Sequence, residues 1–349
     1  MVSMMKAAVV REFGKPLSIE SVPVPRPGPG EVLVKVVACG ICHTDLHAAD
    51  GDWPVRPTLP FIPGHEVAGT VVELGEGVTT VQLGDAVGVA WLHDACQACE
   101  YCQTGWETLC EHQHNTGYSH DGGFAEYVVA AAAFVARLPS DVDFAGIAPI
   151  LCAGVTTYKG LLETEVRAGE WVAIFGIGGL GHVAVQYAKA MGVRVVAVDI
   201  APDKLALAMA SGAELAVDAN DPDAVQRILD ATGGGAHGVL VTAVSRPAFS
   251  QALDVVRRKG TVALVGLPPG DFPTPIFEVV LKRLTVRGSI VGTRRDLDEA
   301  IAFATQGKVQ AEITKVPLED INTVFANLKA GKVEGRMVID FTDRSRETA

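Results

Sequence analysis

The chain has no apolar run approaching the ~20 residues that a bilayer-crossing helix needs. It also lacks the pattern of a secretory leader. Met1-Val2-Ser3-Met4-Met5-Lys6 runs straight into a strand-like Ala7-Ala8-Val9-Val10, without a basic region, an apolar stretch and a small-residue cleavage site. The expectation is therefore a cytoplasmic location. Basic residues are too few to balance the acidic ones, leaving a formal charge of −12 and no basic patch. Nucleic acid and anionic membranes are poor partners for such a surface. A phosphate-bearing cofactor stays open, because a helix terminus and a local cation can hold one. Internal repeats and low-complexity segments are absent too. What is present is a chain of 349 residues, long enough for two domains with separate cores. Its seven cysteines are odd in number and unevenly bunched, which favours metal over disulfides.

Strand-like runs dominate the first 150 residues: Lys6 to Val10, Glu31 to Ala38, His65 to Leu74, Ala86 to Ala90 and Phe124 to Val129. Turn residues separate them, as at Pro25 to Gly30 and Gly75-Glu76-Gly77, so this part reads as a mostly antiparallel β domain with chemistry in its loops. Within it lies Cys96-x2-Cys99-x2-Cys102-x7-Cys110. Four thiols on one short lobe match a closed tetrahedral structural zinc, with coordination holding a segment that has little core of its own.

A second set of donors is dispersed. Cys42 opens the stretch Cys42-His43-Thr44-Asp45-Leu46-His47, His65 follows Gly64, and Cys152 stands alone before the glycine-rich half. Cys42, His65 and Cys152 together would give the two thiolates and one imidazole that leave a tetrahedral zinc one open position. Asp45 is a candidate acceptor for the other N–H of His65, the bond that usually fixes the tautomer of a ligating imidazole. Glu66 reads either as a supporting group or as an alternate ligand.

From Gly169 the pattern changes. The apolar run Trp171 to Phe175 suits a strand buried on both faces, and Gly176-Ile177-Gly178-Gly179-Leu180-Gly181 follows it. Leu180, Val183, Ala184, Tyr187, Ala188 and Met191 then recur at helical spacing, and a second strand from Val193 to Val198 ends at Asp199. A glycine triplet is weak alone, but strand, helix and acid together supply the context a dinucleotide site requires. Asp199 can accept bonds from both ribose hydroxyls and would repel a 2′-phosphate, which argues for NAD over NADP. Further strands at Val239 to Val244, Thr261 to Gly266 and Leu284 to Ile290 fit a doubly wound sheet of buried strands.

The stretch Cys42 to His47, Gly64-His65-Glu66-x2-Gly69-x5-Gly75, the four-cysteine lobe and Cys152-Ala153-Gly154-Val155-Thr156-Thr157-Tyr158 together resemble the zinc-dependent medium-chain alcohol dehydrogenases. The wording is similar to the bacterial and yeast branch acting on ethanol, and the resemblance runs from about Met5 to Phe341. It implies an α/β two-domain fold. Residues 1–153 and 291–349 would form a GroES-like, mostly antiparallel catalytic domain, and residues 154–290 a Rossmann NAD-binding domain. It also implies two Zn2+ per chain, one catalytic and one structural, a small alcohol or aldehyde as partner, and a homotetramer.

Roles for single residues follow from the same resemblance. Thr44 would meet the substrate oxygen and pass its proton through the cofactor ribose to His47 near solvent. His43 and Arg336 would face the pyrophosphate, Thr156 the nicotinamide, and backbone near Val265, Leu267 and Val291 the ring. Lys204 joins the cofactor contacts, and Trp53 and Trp91 would wall the substrate pocket, favouring ethanol and other short primary alcohols. The rival readings are a polyol or threonine-type dehydrogenase with a roomier pocket, a zinc-free quinone reductase, and a non-catalytic NAD sensor or structural protein. The polar end, Asp343 to Ala349, is expected to fray.

Overall fold

Glu31–Ile41 is the strand on which the first unit is built, in a computed structural model that describes residues 3–342. The expected frayed tail from Asp343 lies outside the described residues. Val32, Val34 and Val36 bury along this strand at the period of two, while Lys35 points outward. It pairs antiparallel with Glu66–Leu74, Tyr127–Ala131 and Arg336–Asp340. These belong to a seven-stranded sheet that runs from Ile313–Val316 through Arg336–Asp340, Glu31–Ile41, Glu66–Leu74 and Ala86–Val89 to Ala136–Arg137. All its pairings are antiparallel except that of Ile313–Val316 with Arg336–Asp340. Phe124, Ile41, Val67 and Phe325 lie in the core beneath it, each such side chain contributing about 1.5–3 kcal/mol by burial.

Two ends of this sheet matter for chemistry. Cys42 follows directly on strand Glu31–Ile41, and His65 directly precedes strand Glu66–Leu74. Gly40 is registered opposite Glu66, and a Cβ on Gly40 would stand 1.9 Å from the Glu66 carboxylate. Only glycine leaves room there for a buried acid.

In the second unit six strands form one parallel sheet in the order Leu215–Asp218, Arg194–Asp199, Trp171–Phe175, Ala236–Val241, Val256–Leu264, Thr285–Gly288. Strand order reverses beside the first strand in sequence, the arrangement of a dinucleotide-binding sheet. Every residue of Trp171–Phe175 is buried, as a strand covered on both faces requires. Two strands differ from the sequence reading. Leu215–Asp218 has no counterpart there, being short and poor in β-branched residues. The last strand spans only Thr285–Gly288 and is largely exposed, because it stands at the sheet's edge.

The units consist of Met1–Cys152 with Thr293–Ile301 and Ala311–Ala349, and of Ala153–Gly292 with Ala302–Gln310. This division differs from a single return at residue 291 in one segment: Ala302–Gln310 packs with the dinucleotide-type unit. Phe303 explains this, its ring lying 5.7 Å from both Tyr158 and Tyr187. Gln186 and Gln310 also exchange two hydrogen bonds, at 2.8 and 2.9 Å. Among the described residues no single helix is long and apolar enough to cross a membrane.

Candidate metal centres and dinucleotide loop

Cys42 caps the helix His43–Asp50 in a reciprocal arrangement with Asp45, whose Oδ2 accepts the Cys42 backbone N–H at 2.8 Å. The same carboxylate reaches back to the other sheet end. Its Oδ1 accepts from the Gly64 N–H at 3.1 Å and from His65 Nδ1 at 2.8 Å. One buried carboxylate thereby fixes both Cys42 and His65, and leaves Nε2 of His65 facing Cys152 Sγ at 3.2 Å. Donor atoms of Cys42, His65, Glu66 and Cys152 all lie within 4.8 Å of one another, and all four residues are buried.

Protons are shared unevenly among these buried groups. The hydrogen bond from Cys152 holds the Cys42 thiol well below its ordinary value against the effect of burial, while Cys152, as donor, is pushed well above. Burial alone would lower the His65 imidazole, but the charge and hydrogen bond of Asp45 carry it well above the usual range. Glu66 forms a buried ion pair with Nη2 of Arg336, yet its Oε2 has no partner among the described residues. An unpartnered buried carboxylate oxygen among two thiols and an imidazole is a donor set that fits zinc.

Three aromatic rings stand beside this centre. Trp91 lies edge-on to His65 at 5.3 Å, Trp53 meets Trp91 at 6.4 Å, and His47 stacks on Trp53 at 5.5 Å. His47 also bonds Asp52 through Nδ1 at 2.9 Å. Thr44 is half-buried and His43 exposed on the same short helix. Tyr118, which sequence reading missed, packs on both tryptophans at 5.8 and 5.5 Å. No local pattern marks it, because its contacts come from distant loops.

The four-cysteine lobe brings its sulfurs within 4.8 Å of one another, with Cys96 and Cys102 at 4.0 Å. Tetrahedral zinc with Zn–S bonds of about 2.3 Å needs sulfurs about 3.8 Å apart, so the set fits. Backbone N–H groups of Ala98 and Cys99 pull the Cys96 thiol down to about 6, towards the thiolate a metal binds. The lobe has a small core after all, where Cys110 packs with Leu92, Ala95 and Phe134. Glu107 fastens it further by gripping Arg294 through Nε at 2.9 Å and Nη2 at 3.0 Å.

In the second unit the loop after Trp171–Phe175 turns at Gly176, φ +90°, and enters the helix Gly181–Ala190. A Cβ on Gly181 would stand 1.9 Å from the Gly176 carbonyl oxygen, so Gly176 and Gly181 approach too closely for any side chain. Gly178, Gly179 and Leu180 make the crossing, with Lys204 Nζ 3.9 Å from where a Cβ of Gly178 would stand. Asp199 ends the adjoining strand and accepts the N–H groups of Ile177, Ile200 and Ala201 at 2.6, 2.7 and 3.1 Å. Three of its roughly four lone-pair positions are thus occupied, which leaves room for about one ribose hydroxyl rather than two. Thr156 is buried on helix Ala153–Glu163 with its hydroxyl unpartnered. Val265 is half-buried, Leu267 is exposed, and Val291 holds φ +38°, a conformation that β-branched residues rarely take.

Comparison with known proteins gives this geometry its relatives. Residues 28–140 match the family model described as alcohol dehydrogenase GroES-like domain, and residues 179–306 the one described as zinc-binding dehydrogenase. An alcohol dehydrogenase of Rhizobium meliloti is 63% identical over 96% of this chain and 98% of its own. One from Moraxella sp. is 59% identical over 97% of this chain and 100% of its own. The chain belongs to the zinc-dependent medium-chain alcohol dehydrogenases. The crystal structure of the alcohol dehydrogenase from the archaeon Aeropyrum pernix superposes with a TM-score of 0.88 at 36% identity, covering 96% of this chain and 99% of that one.

Arg336 has a further partner that the sequence reading did not name. The resemblance sets Arg336 against pyrophosphate, yet its side chain is buried and committed to Glu66. Its Nε has no partner among the described residues. A guanidinium at this depth stays charged: burial opposes it, but Glu66 more than restores the charge.

Proposed function

We propose that this dehydrogenase oxidises short primary alcohols such as ethanol to aldehydes, reversibly, with NAD as the preferred hydride acceptor. The observation that carries the reading is the aromatic wall of Trp91, Trp53 and Tyr118 standing beside His65 and its neighbouring thiols. Such a wall gives a small apolar substrate a surface to bury against and offers a polyol few hydrogen-bond partners. Cys42, His65 and Cys152 would hold a catalytic zinc, with Glu66 as alternate ligand, and Cys96, Cys99, Cys102 and Cys110 a structural one. When bound, the catalytic zinc supplies Lewis-acid polarisation of the substrate oxygen, and NAD supplies the hydride acceptor.

The remaining work belongs to side chains of this chain. Asp45 fixes the tautomer of His65, so that Nε2 is the free nitrogen. Thr44 and His47 are three residues apart on one helix and share a face. Thr44 Oγ1 takes the proton released by the substrate and hands it outward towards His47, which Asp52 orients through Nδ1. Gly176, Gly178, Gly179, Leu180 and Gly181 bind the pyrophosphate through backbone N–H groups, with Lys204 as a further donor; the role of His43 towards the same group rests on the resemblance alone. Asp199 selects against a 2′-phosphate, Thr156 offers its unpartnered hydroxyl to the nicotinamide, and the strained Val291 with Val265 and Leu267 shapes the ring's surroundings.

The catalytic domain comprises residues 1–152, 293–301 and 311 onward, and the dinucleotide domain residues 153–292 with 302–310. We assign the protein to the cytoplasm, where its seven free cysteines would stay reduced. A homotetramer is supported by exposed Ile276, Phe277, Val280 and Leu281 on helix Ile276–Lys282, near the open sheet edge at Thr285–Gly288. Steady-state rates with ethanol, longer primary alcohols, secondary alcohols and sorbitol, each with NAD and NADP, test the reading. Ethanol with NAD should give the highest kcat/KM; a preference for sorbitol or for NADP would refute it.

A further inference from the structure

We propose that His93, Asp94 and His120 form a third divalent-cation site, of the class that binds Zn2+, separate from the two cysteine-containing centres. One ligand atom from each of the three lies within 4.8 Å of the others. The rings of His93 and His120 are stacked at 4.1 Å and 9°. The neutral imidazole is the form that ligates metals.

His93 is 2% exposed, and its Nδ1 is buried with no hydrogen-bond partner among the described residues. Buried polar atoms are seldom left so, and a bound ion with its waters would satisfy this one. Asp94 is oriented for the task, because His114 Nδ1 bonds its Oδ1 at 2.7 Å and leaves Oδ2 free of that bond. Ligating carboxylates are commonly held in this way by an outer partner.

The backbone is fixed as well. Asp94 pairs with His114 across two short antiparallel strands, and the N–H groups of Ser119 and His120 both bond the Asn115 carbonyl, at 3.0 and 3.1 Å. The cation would fasten this turn to strand Leu92–Asp94. Two imidazoles and one carboxylate, with the remaining positions open to water through the partly exposed His120, suit Zn2+ or a similar borderline ion.

The test uses the zinc-loaded enzyme, freed of loosely held metal on a chelating resin and then dialysed against rising free Zn2+. Metal content is read by mass spectrometry and thermal stability by calorimetry. The wild type should take up one further equivalent and gain in Tm. His120→Ala and Asp94→Asn, both at partly exposed positions, should bind that equivalent at least about tenfold more weakly and lose the gain. His112→Ala, a change at an exposed histidine outside the cluster, should behave as wild type. No additional equivalent, equal uptake by His120→Ala, or uptake abolished by His112→Ala would each overturn the proposal.

Discussion

Replacing Asp45 by Asn tests how much of the catalytic centre rests on one carboxylate. Three donors converge on it: the Cys42 N–H on Oδ2, and the Gly64 N–H and His65 Nδ1 on Oδ1. An amide keeps one acceptor oxygen. If that oxygen stays with Gly64 and His65, the amide NH2 faces the Cys42 N–H, two donors meet, and a buried N–H is orphaned. The flipped amide is worse, because it sets two donors against the NH2. A buried hydrogen bond to a charged acceptor contributes about 1.5–3 kcal/mol, and His65 keeps only a neutral oxygen in its place. A total loss of about 3 kcal/mol follows, which for a unit of this size lowers Tm by roughly 6–12 °C. Because the lost bonds aim Cys42 and His65, zinc affinity at that centre should fall about 10–100-fold. Calorimetry gives the first figure and competition against a chromogenic chelator the second. An Asp45→Asn enzyme that melts like the wild type and keeps its zinc against the same chelator would refute the reasoning.

Asp199→Gly should cut the preference for NAD over NADP at least about tenfold, and it should also loosen the glycine loop by freeing the Ile177 N–H; an unchanged kcat/KM ratio for the two cofactors would remove Asp199 from cofactor choice. Glu107→Gln should cost about 2 kcal/mol at neutral pH by weakening the grip on Arg294, seen as a lower urea midpoint. Burial opposes ionisation of Glu107, but the bonds from Arg294 prevail and leave its pKa lowered, so the contribution is complete above the ordinary carboxylate value near 4.3 and fades as pH falls through the folded value. A gap between variant and wild type that widens on acidification would contradict that sign.

What was legible in the sequence was local chemistry whose spacing is dictated by covalent reach. Cys96, Cys99, Cys102 and Cys110 must lie close along the chain to surround one ion, and Gly176 to Gly181 must follow a strand and open a helix. Asp45 was legible as the acceptor for His65, whereas its capping of the Cys42 N–H emerges only in the fold. Tyr118 and Phe303 were not, because each finds its partners only after distant segments pack, and an isolated aromatic carries no record of which rings it will meet. The His93–His120 stack belongs with them, since neither residue sits at a recognisable ligand spacing. Arg336 is the instructive case. Its surroundings in sequence, Gly335-Arg336-Met337-Val338, announce a charge at the start of an apolar strand and nothing more. A guanidinium recognises a carboxylate and a phosphate with the same fork of N–H groups, so sequence could not choose between Glu66 and a cofactor. Register accounts for the Glu66 pair. Val338 pairs with Gly40, and Gly40 pairs with Glu66 on its other side, so strand Arg336–Asp340 and Glu66 flank the one residue small enough to let a guanidinium and a carboxylate meet. A phosphate contact by Arg336 would therefore have to be made with donors that Glu66 leaves over, the unpartnered Nε among them.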